Sequence, residues 1–157
     1  MQITQLDAQT YIGPQISIAN LNDLKRLNVK TVVVARPEGE TADQTAISEV
    51  RDAADALGIN VHQIPVVPGN IADADVRAFH AIASEADHPV FAYCLSGMRA
   101  TSLWALSAAG QGQSPDEILR MAKSAGFDLT PLLARLSVNA AYLNDNKVTD
   151  HEHDATG

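Results

Sequence analysis

The sequence predicts an α/β fold with a mainly parallel sheet of four or five strands flanked by helices. Short apolar, β-branched or aromatic runs, "KTVVVA" (30–35), "INVHQIP" (59–65) and "VFAY" (90–93), alternate with segments of helical periodicity. Each run is followed by a loop carrying glycine or proline: "RPEGE" (36–40), "VVPGNIADAD" (66–75) and "CLSG" (94–97). Strands separated by helices are joined by crossover connections and so lie parallel. A chain of 157 residues, 46% hydrophobic and 19% charged, suits one packed core.

Taken in order, Ile3–Leu6 and Tyr11–Ile12 read as two short strands. In "SIANLNDLKRLN" the residues Ile18, Leu21, Leu24 and Leu27 recur every three positions, a helical stripe that Asn28 can end in a left-handed turn. The run 30–35 is apolar throughout, as a strand buried on both faces requires. A second helix is expected from about Asp43 to Leu57, with Ile47, Val50, Ala54 and Leu57 inward and Gly58 as its stop. After the strand 59–65, a third helix is expected from about Ala72 to Ala86, packing Val76, Phe79 and Ile82. The strand 90–93 leads through the Cys94 turn into a helix from about Gly97 to Ala109, where Trp104 reads as core beside Leu103 and Leu106. Ser114-Pro115-Asp116-Glu117 is a capping box with proline at the first helical position; it opens a helix over 115–125 that Gly126 closes. Thr130-Pro131 opens a last helix to about Asn144. Residues 1–144 are expected to form a single catalytic domain and 145–157 a flexible acidic tail.

The formal charge of −8 argues against a nucleic-acid surface, which needs clustered Lys and Arg. A small anionic substrate stays possible, because a pocket can be locally positive on an acidic protein. One cysteine makes no internal disulfide, and no Cys/His spacing suggests zinc. The amino-terminal stretch lacks a basic segment followed by an apolar core, and no apolar run is long enough to span a membrane. A cytoplasmic protein without metal or cofactor is expected. His62 and His80 read as structural, and "DHEHD" (150–154) as solvated chain rather than a metal cluster.

In open parallel sheets, ligands bind beyond the carboxyl ends of the strands. Cys94 lies there, and its loop holds the most chemistry. A strand, a tight turn and a helix aim backbone N–H groups at a common centre, an anion cradle. A thiol in such a field is favoured as thiolate, its nucleophilic form. The loop Leu95, Ser96, Gly97, Met98, Arg99 would supply the cradle; Gly97 permits the turn and Arg99 adds a fixed two-pronged donor for an oxyanion. The alternative is a small buried cysteine beside a surface cation.

The stretches "GPQIS" (13–17), "VARPEGE" (34–40), "INVHQIPV" (59–66), "CLSGMRATSLWAL" (94–106) and "AGFDLTPL" (125–132) resemble the phosphatase-like domain family of beta-lactamase-hydrolase-like proteins, bacterial relatives of the protein-tyrosine and dual-specificity phosphatases. That resemblance implies a protein-tyrosine-phosphatase-like three-layer fold. It further implies a phosphate monoester substrate, Cys94 as nucleophile, a phosphocysteine intermediate, and Arg99 as phosphate binder. The substrate would be a small anionic molecule or a phosphorylated protein, and the chain a possible homo-oligomer.

The sequence departs from the phosphatase pattern at three points. Four residues separate Cys94 from Arg99 where those phosphatases have five; Ala100 intervenes before Thr101; and Tyr93 stands where they have histidine. A four-residue loop resembles that of rhodanese-type sulfurtransferases, which carry a persulfide on the cysteine, so both reactions stay open. A phosphatase also needs a general acid. Asp73 and Asp75 are the candidates, and a dipole-favoured pair at a helix N-terminus is the alternative. Arg36, Glu40 and Thr101 are expected around the loop, Arg36 either as a second anion contact or as an ion pair with Glu40. Gln15 is a candidate loop anchor.

Overall fold

The computed structural model describes residues 3–139. Five strands, β1 (Thr4–Asp7), β2 (Thr10–Gly13), β3 (Thr31–Val34), β4 (Asn60–Gln63) and β5 (Val90–Tyr93), form one sheet in the order β1-β2-β5-β3-β4. The β1–β2 pair is antiparallel and the other three pairings are parallel. The expected α/β fold with a mainly parallel sheet is thus the observed one. β5 is central: Val90 lies level with Thr10 on one side and Thr31 on the other, and Tyr93 with Gly13 and Val34. Its four residues are all buried, as a strand covered on both faces must be.

The helices are α1 (Leu21–Arg26), α2 (Ile47–Asp55), α3 (Asp73–Glu85), α4 (Met98–Gly110) and α5 (Pro115–Ser124). Short 3-10 turns cover Ile18–Asn20 and Thr130–Leu132, and residues 133–139 are helical. The chain divides into two compact units, one up to Trp104 and one from Ala105. The first holds the sheet and a core in which Leu21, Leu24, Ile47, Val50 and Ala54 pack with Val32, Val34, Phe91 and Tyr93. The second holds the rest of α4, then α5. From Arg99 to Ala109 every residue of α4 is buried, which explains its lack of a polar face.

Several local expectations are met. Asn28 adopts a φ of 63° just after α1. The Ser114 hydroxyl accepts the Glu117 N–H at 3.2 Å at the start of α5. Trp104 is core, and its indole N–H donates to Asp7 Oδ2 at 2.8 Å.

Others are corrected. The stripe expected from Ile18 is a 3-10 turn followed by α1, because the Asn20 amide oxygen accepts from both the N–H and the hydroxyl of Ser17, tightening the first turn. α2 begins at Ile47, not near Asp43: Thr41 donates to Asp43, and the Gln44 side chain accepts the Glu40 N–H and donates to the Pro37 carbonyl. Those bonds hold 36–44 as a loop, and Glu38 accepts the Ile47 N–H, capping α2 from outside. β4 ends at Gln63, two residues before Pro65, which has no N–H for a ladder. The tail 145–157, the "DHEHD" cluster and the end of the last helix lie outside the described residues.

Phe91 is fully buried in the central strand and stacks on Tyr93 at 5.9 Å between ring centroids. Phe91→Ala should lower the unfolding free energy by about 3–5 kcal/mol, the usual cost of a core aromatic deletion, read from urea denaturation followed by circular dichroism.

Candidate active site

The loops after β2, β3, β4 and β5 emerge at one edge, the carboxyl end of the four parallel strands. Backbone bonds continue the sheet into them: Ala35 N–H donates to the Tyr93 carbonyl at 2.7 Å, Ile64 N–H to Val34 at 2.9 Å, and Gln15 N–H to Leu95 at 3.2 Å. Cys94 leaves β5 at this edge, and α4 begins four residues later at Met98. The strand–turn–helix junction expected from the sequence is present.

Cys94 is a free, buried cysteine. The Gly97 N–H donates to its Sγ at 3.1 Å. Gly97 has a φ of 100°, a conformation that side chains with a Cβ rarely adopt, and it turns this amide back toward the sulfur. The Met98 N–H donates to the Ser96 hydroxyl at 3.3 Å. The amides of Ser96, Arg99 and Ala100 donate to no protein acceptor among the described residues, as expected of a helix start whose orphan N–H groups point outward. Thr101 is buried and donates its hydroxyl proton to the Gly97 carbonyl at 2.7 Å, clamping the turn onto the helix.

Arg99 is nearly buried and held on one edge. Its Nη1 and Nη2 donate to the two Glu40 oxygens at 2.9 and 2.7 Å, and Nη1 also donates to the Val66 carbonyl at 2.8 Å. Among the described residues the Nε–H and one Nη2 proton meet no acceptor, and together they form the side of the guanidinium that can grip two oxygens of one anion. Arg36 is fully buried. Its Nε donates to Glu40 Oε1 at 3.0 Å, Nη1 to Gln15 Oε1 at 2.9 Å, and Nη2 weakly to Thr41 at 3.4 Å. Two cations thus share one carboxylate. The Arg99 hydrogen bond, with the charges of both arginines, holds the Glu40 carboxyl below its ordinary value, against some loss of hydration.

The structure therefore brings together Cys94, Leu95, Ser96, Gly97, Met98, Arg99, Thr101, Arg36 and Glu40. Of the two readings of Arg36, the ion pair with Glu40 is the one found, and Gln15 anchors the loop as expected. The bidentate Arg99–Glu40 pair was missed by sequence reasoning. Its partners lie 59 positions apart, and the only sequence signal was their common placement on strand-end loops. Asp73 and Asp75 lie in the first turn of α3, and Asp75 accepts the Ala72 N–H at 3.0 Å, capping that helix. Tyr93 points into the core on the face opposite Cys94. Burial raises its pKa to about 12; Gln15 lies near enough to temper the shift, yet the hydroxyl meets no hydrogen-bond partner.

A central parallel strand that ends in a cysteine loop feeding a helix, with an arginine in that helix's first turn, defines the class: a protein-tyrosine-phosphatase-like α/β domain. Solved structures agree. A Neisseria meningitidis protein named as a phosphatase superposes with a TM-score of 0.80 at 33% identity, over 88% of this chain and 99% of that one. PTPMT1 superposes with a TM-score of 0.77 at 15% identity, over 94% and 99%, a likeness of fold. Within that class the chain belongs to the family of the beta-lactamase hydrolase-like protein, phosphatase-like domain, whose sequence profile matches residues 3–111. The beta-lactamase hydrolase-like protein of Agrobacterium fabrum is 35% identical over 130 residues, and that of Xylella fastidiosa 28%. The matched region spans 82% of this chain and 30% of those relatives. Among the described residues, no helix is long and apolar enough to cross a membrane.

Because Glu40 has a lowered folded pKa, its contribution to stability is present above its unfolded value and is lost as pH falls through the folded one. Glu40→Gln should destabilise the protein at neutral pH by leaving two buried arginines uncompensated. The gap from wild type should shrink as pH drops below 4.5, the ordinary glutamate value, which denaturant midpoints at several pH values will show.

Proposed function

We propose that this chain is a cysteine-dependent phosphatase-like hydrolase acting on a phosphate monoester. One observation carries the reading. The turn from Cys94 into α4 carries three amides without a protein acceptor among the described residues, and Arg99 follows in the first turn with one edge held by Glu40 and Val66 and the other uncommitted. Donors fixed before the substrate arrives stabilise charge that develops on transferring oxygens, with no reorganisation during the reaction. The Cys94 thiolate attacks phosphorus, the ester oxygen leaves with a proton, and a phosphocysteine forms. Water then attacks phosphorus, releasing inorganic phosphate and restoring the thiolate. Asp73 or Asp75 supplies the proton to the leaving oxygen; their position on a loop-to-helix junction at the same sheet edge supports this. Residues 1–144 act as the catalytic domain, in the cytoplasm, where a lone thiol stays reduced. The substrate is a small anionic molecule or a phosphorylated protein.

A second reading is favoured by one feature, the four residues between Cys94 and Arg99. A shorter loop closes a tighter ring of amides, better matched to a single sulfur than to a tetrahedral phosphate. In this reaction the Cys94 thiolate attacks the outer sulfur of thiosulfate, sulfite leaves, and the resulting Cys94 persulfide passes that sulfur to an acceptor thiolate. It needs no general acid, consistent with the use of Asp75 as a cap.

Cys94→Ser should abolish turnover in either case. Hydrolysis of aryl phosphates should fall at both pH extremes, since it needs a thiolate and a protonated acid. Asp73→Asn or Asp75→Asn should slow only esters with poor leaving groups. Sulfane-sulfur transfer from thiosulfate, with no aryl phosphate turnover by the same preparation, would establish the second reading instead. Arg99→Ala should weaken phosphate binding by about 1.5–3 kcal/mol in calorimetry, the range for a charge-assisted hydrogen bond.

A further inference from the structure

The loops around Cys94 carry few charges that could recognise anything beyond one anionic group. Residues 14–17, 35–46, 64–72 and 94–97 contain no lysine and one arginine, Arg36; Arg99 follows in the first turn of α4. Both arginines are committed to Glu40, leaving that cluster an excess of one positive charge. The other charged residues on these loops are Glu38 and Asp43, which repel a second anionic group.

What the rim does offer is apolar surface. The described residues include six exposed large hydrophobic side chains, and three of them adjoin residues of this site in the chain: Leu95 (49%), Met98 (41%) and Val67 (53%). Leu95 directly follows Cys94, and Met98 directly precedes Arg99. Val67 follows Val66, whose carbonyl holds Arg99. A bridge from Val67 to Asn70, closed through Gly69 at a φ of 75°, presents Val67 on a tight turn. Exposed apolar side chains gathered at the mouth of a polar site mark the contact surface for an apolar ligand.

We propose that the substrate bears its single anionic group on an uncharged apolar body, alkyl or aryl, which packs on Leu95, Met98 and Val67. The proposal rests on the reading of the Cys94 loop as an anion site and adds the substrate class. The position of these side chains makes them the determinants of specificity, while the cradle and Arg99 hold the head group.

n-Alkyl phosphates from butyl to octyl test it, because lengthening the chain adds apolar contact with almost no change in leaving-group acidity. Full burial of a methylene is worth about 0.8 kcal/mol, roughly fourfold. On a half-open rim, kcat/KM should rise at least about tenfold from butyl to octyl phosphate. Val67→Asn should lower the octyl value several-fold and flatten the rise from butyl to octyl phosphate. Calorimetry of the non-hydrolysable n-alkylphosphonates separates the two layers of the argument. If none of the phosphates is hydrolysed but phosphonate affinity still climbs about tenfold with length and flattens in Val67→Asn, the phosphatase reading fails and apolar recognition stands. A flat dependence on chain length, phosphoserine binding as tightly as octylphosphonate, or no binding by any of these anions overturns the proposal.

Discussion

The Glu40 carboxylate, gripped by two buried arginines, is the interaction on which the candidate site depends. Glu40 comes from the loop after β3 and Arg99 from the helix after β5. Through Arg99 the Val66 carbonyl ties in the loop after β4, and through Arg36 the Gln15 amide ties in the loop after β2. Four chain segments that meet only at the end of the sheet are thereby fixed to one another by charge-assisted bonds. Buried ions are costly to dehydrate, and such a cluster survives only when nearly every donor and acceptor is used. The donors that Arg99 has left over lie on the edge away from Glu40.

That arrangement separates two tasks that an arginine in an anion site must perform. Holding the guanidinium in place requires bonds, and binding substrate requires spare donors. The Nη1/Nη2 edge does the first against Glu40, and under the proposed function the Nε/Nη2 edge would do the second. Gly97 and Thr101 do the same for the backbone. The positive φ of Gly97 aims its amide at the Cys94 sulfur, and Thr101 locks the Gly97 carbonyl behind it. A loop stiffened in this way keeps its remaining amides oriented before any ligand binds.

The fold was legible in the sequence wherever the signal was local. A run such as "KTVVVA" can be satisfied only as a strand covered on both faces, and the structure buries Val32, Val33 and Val34 completely. The stripe of Ile47, Val50 and Ala54 needs an apolar surface to cover and finds it on the same core as Phe91 and Tyr93. Boundaries were less legible. The start of α2 falls later than periodicity suggests because Gln44 spends its side chain on loop bonds to Pro37 and Glu40, and Asp43 accepts from Thr41.

By itself the sequence determined the alternation of strands and helices, the end of β5 at Cys94, and the family to which that loop belongs, because each depends on neighbours in the chain. The Arg36–Glu40 pair was within reach for the same reason, at a spacing of four. Only the tertiary structure decided that Glu40 also holds Arg99, that Val66 lends a carbonyl, and that Leu95, Met98 and Val67 stand exposed. Those facts depend on parallel strands delivering distant loops to one edge, and on competition for a limited set of hydrogen-bond partners there. Neither leaves a trace in the spacing of residues along the chain.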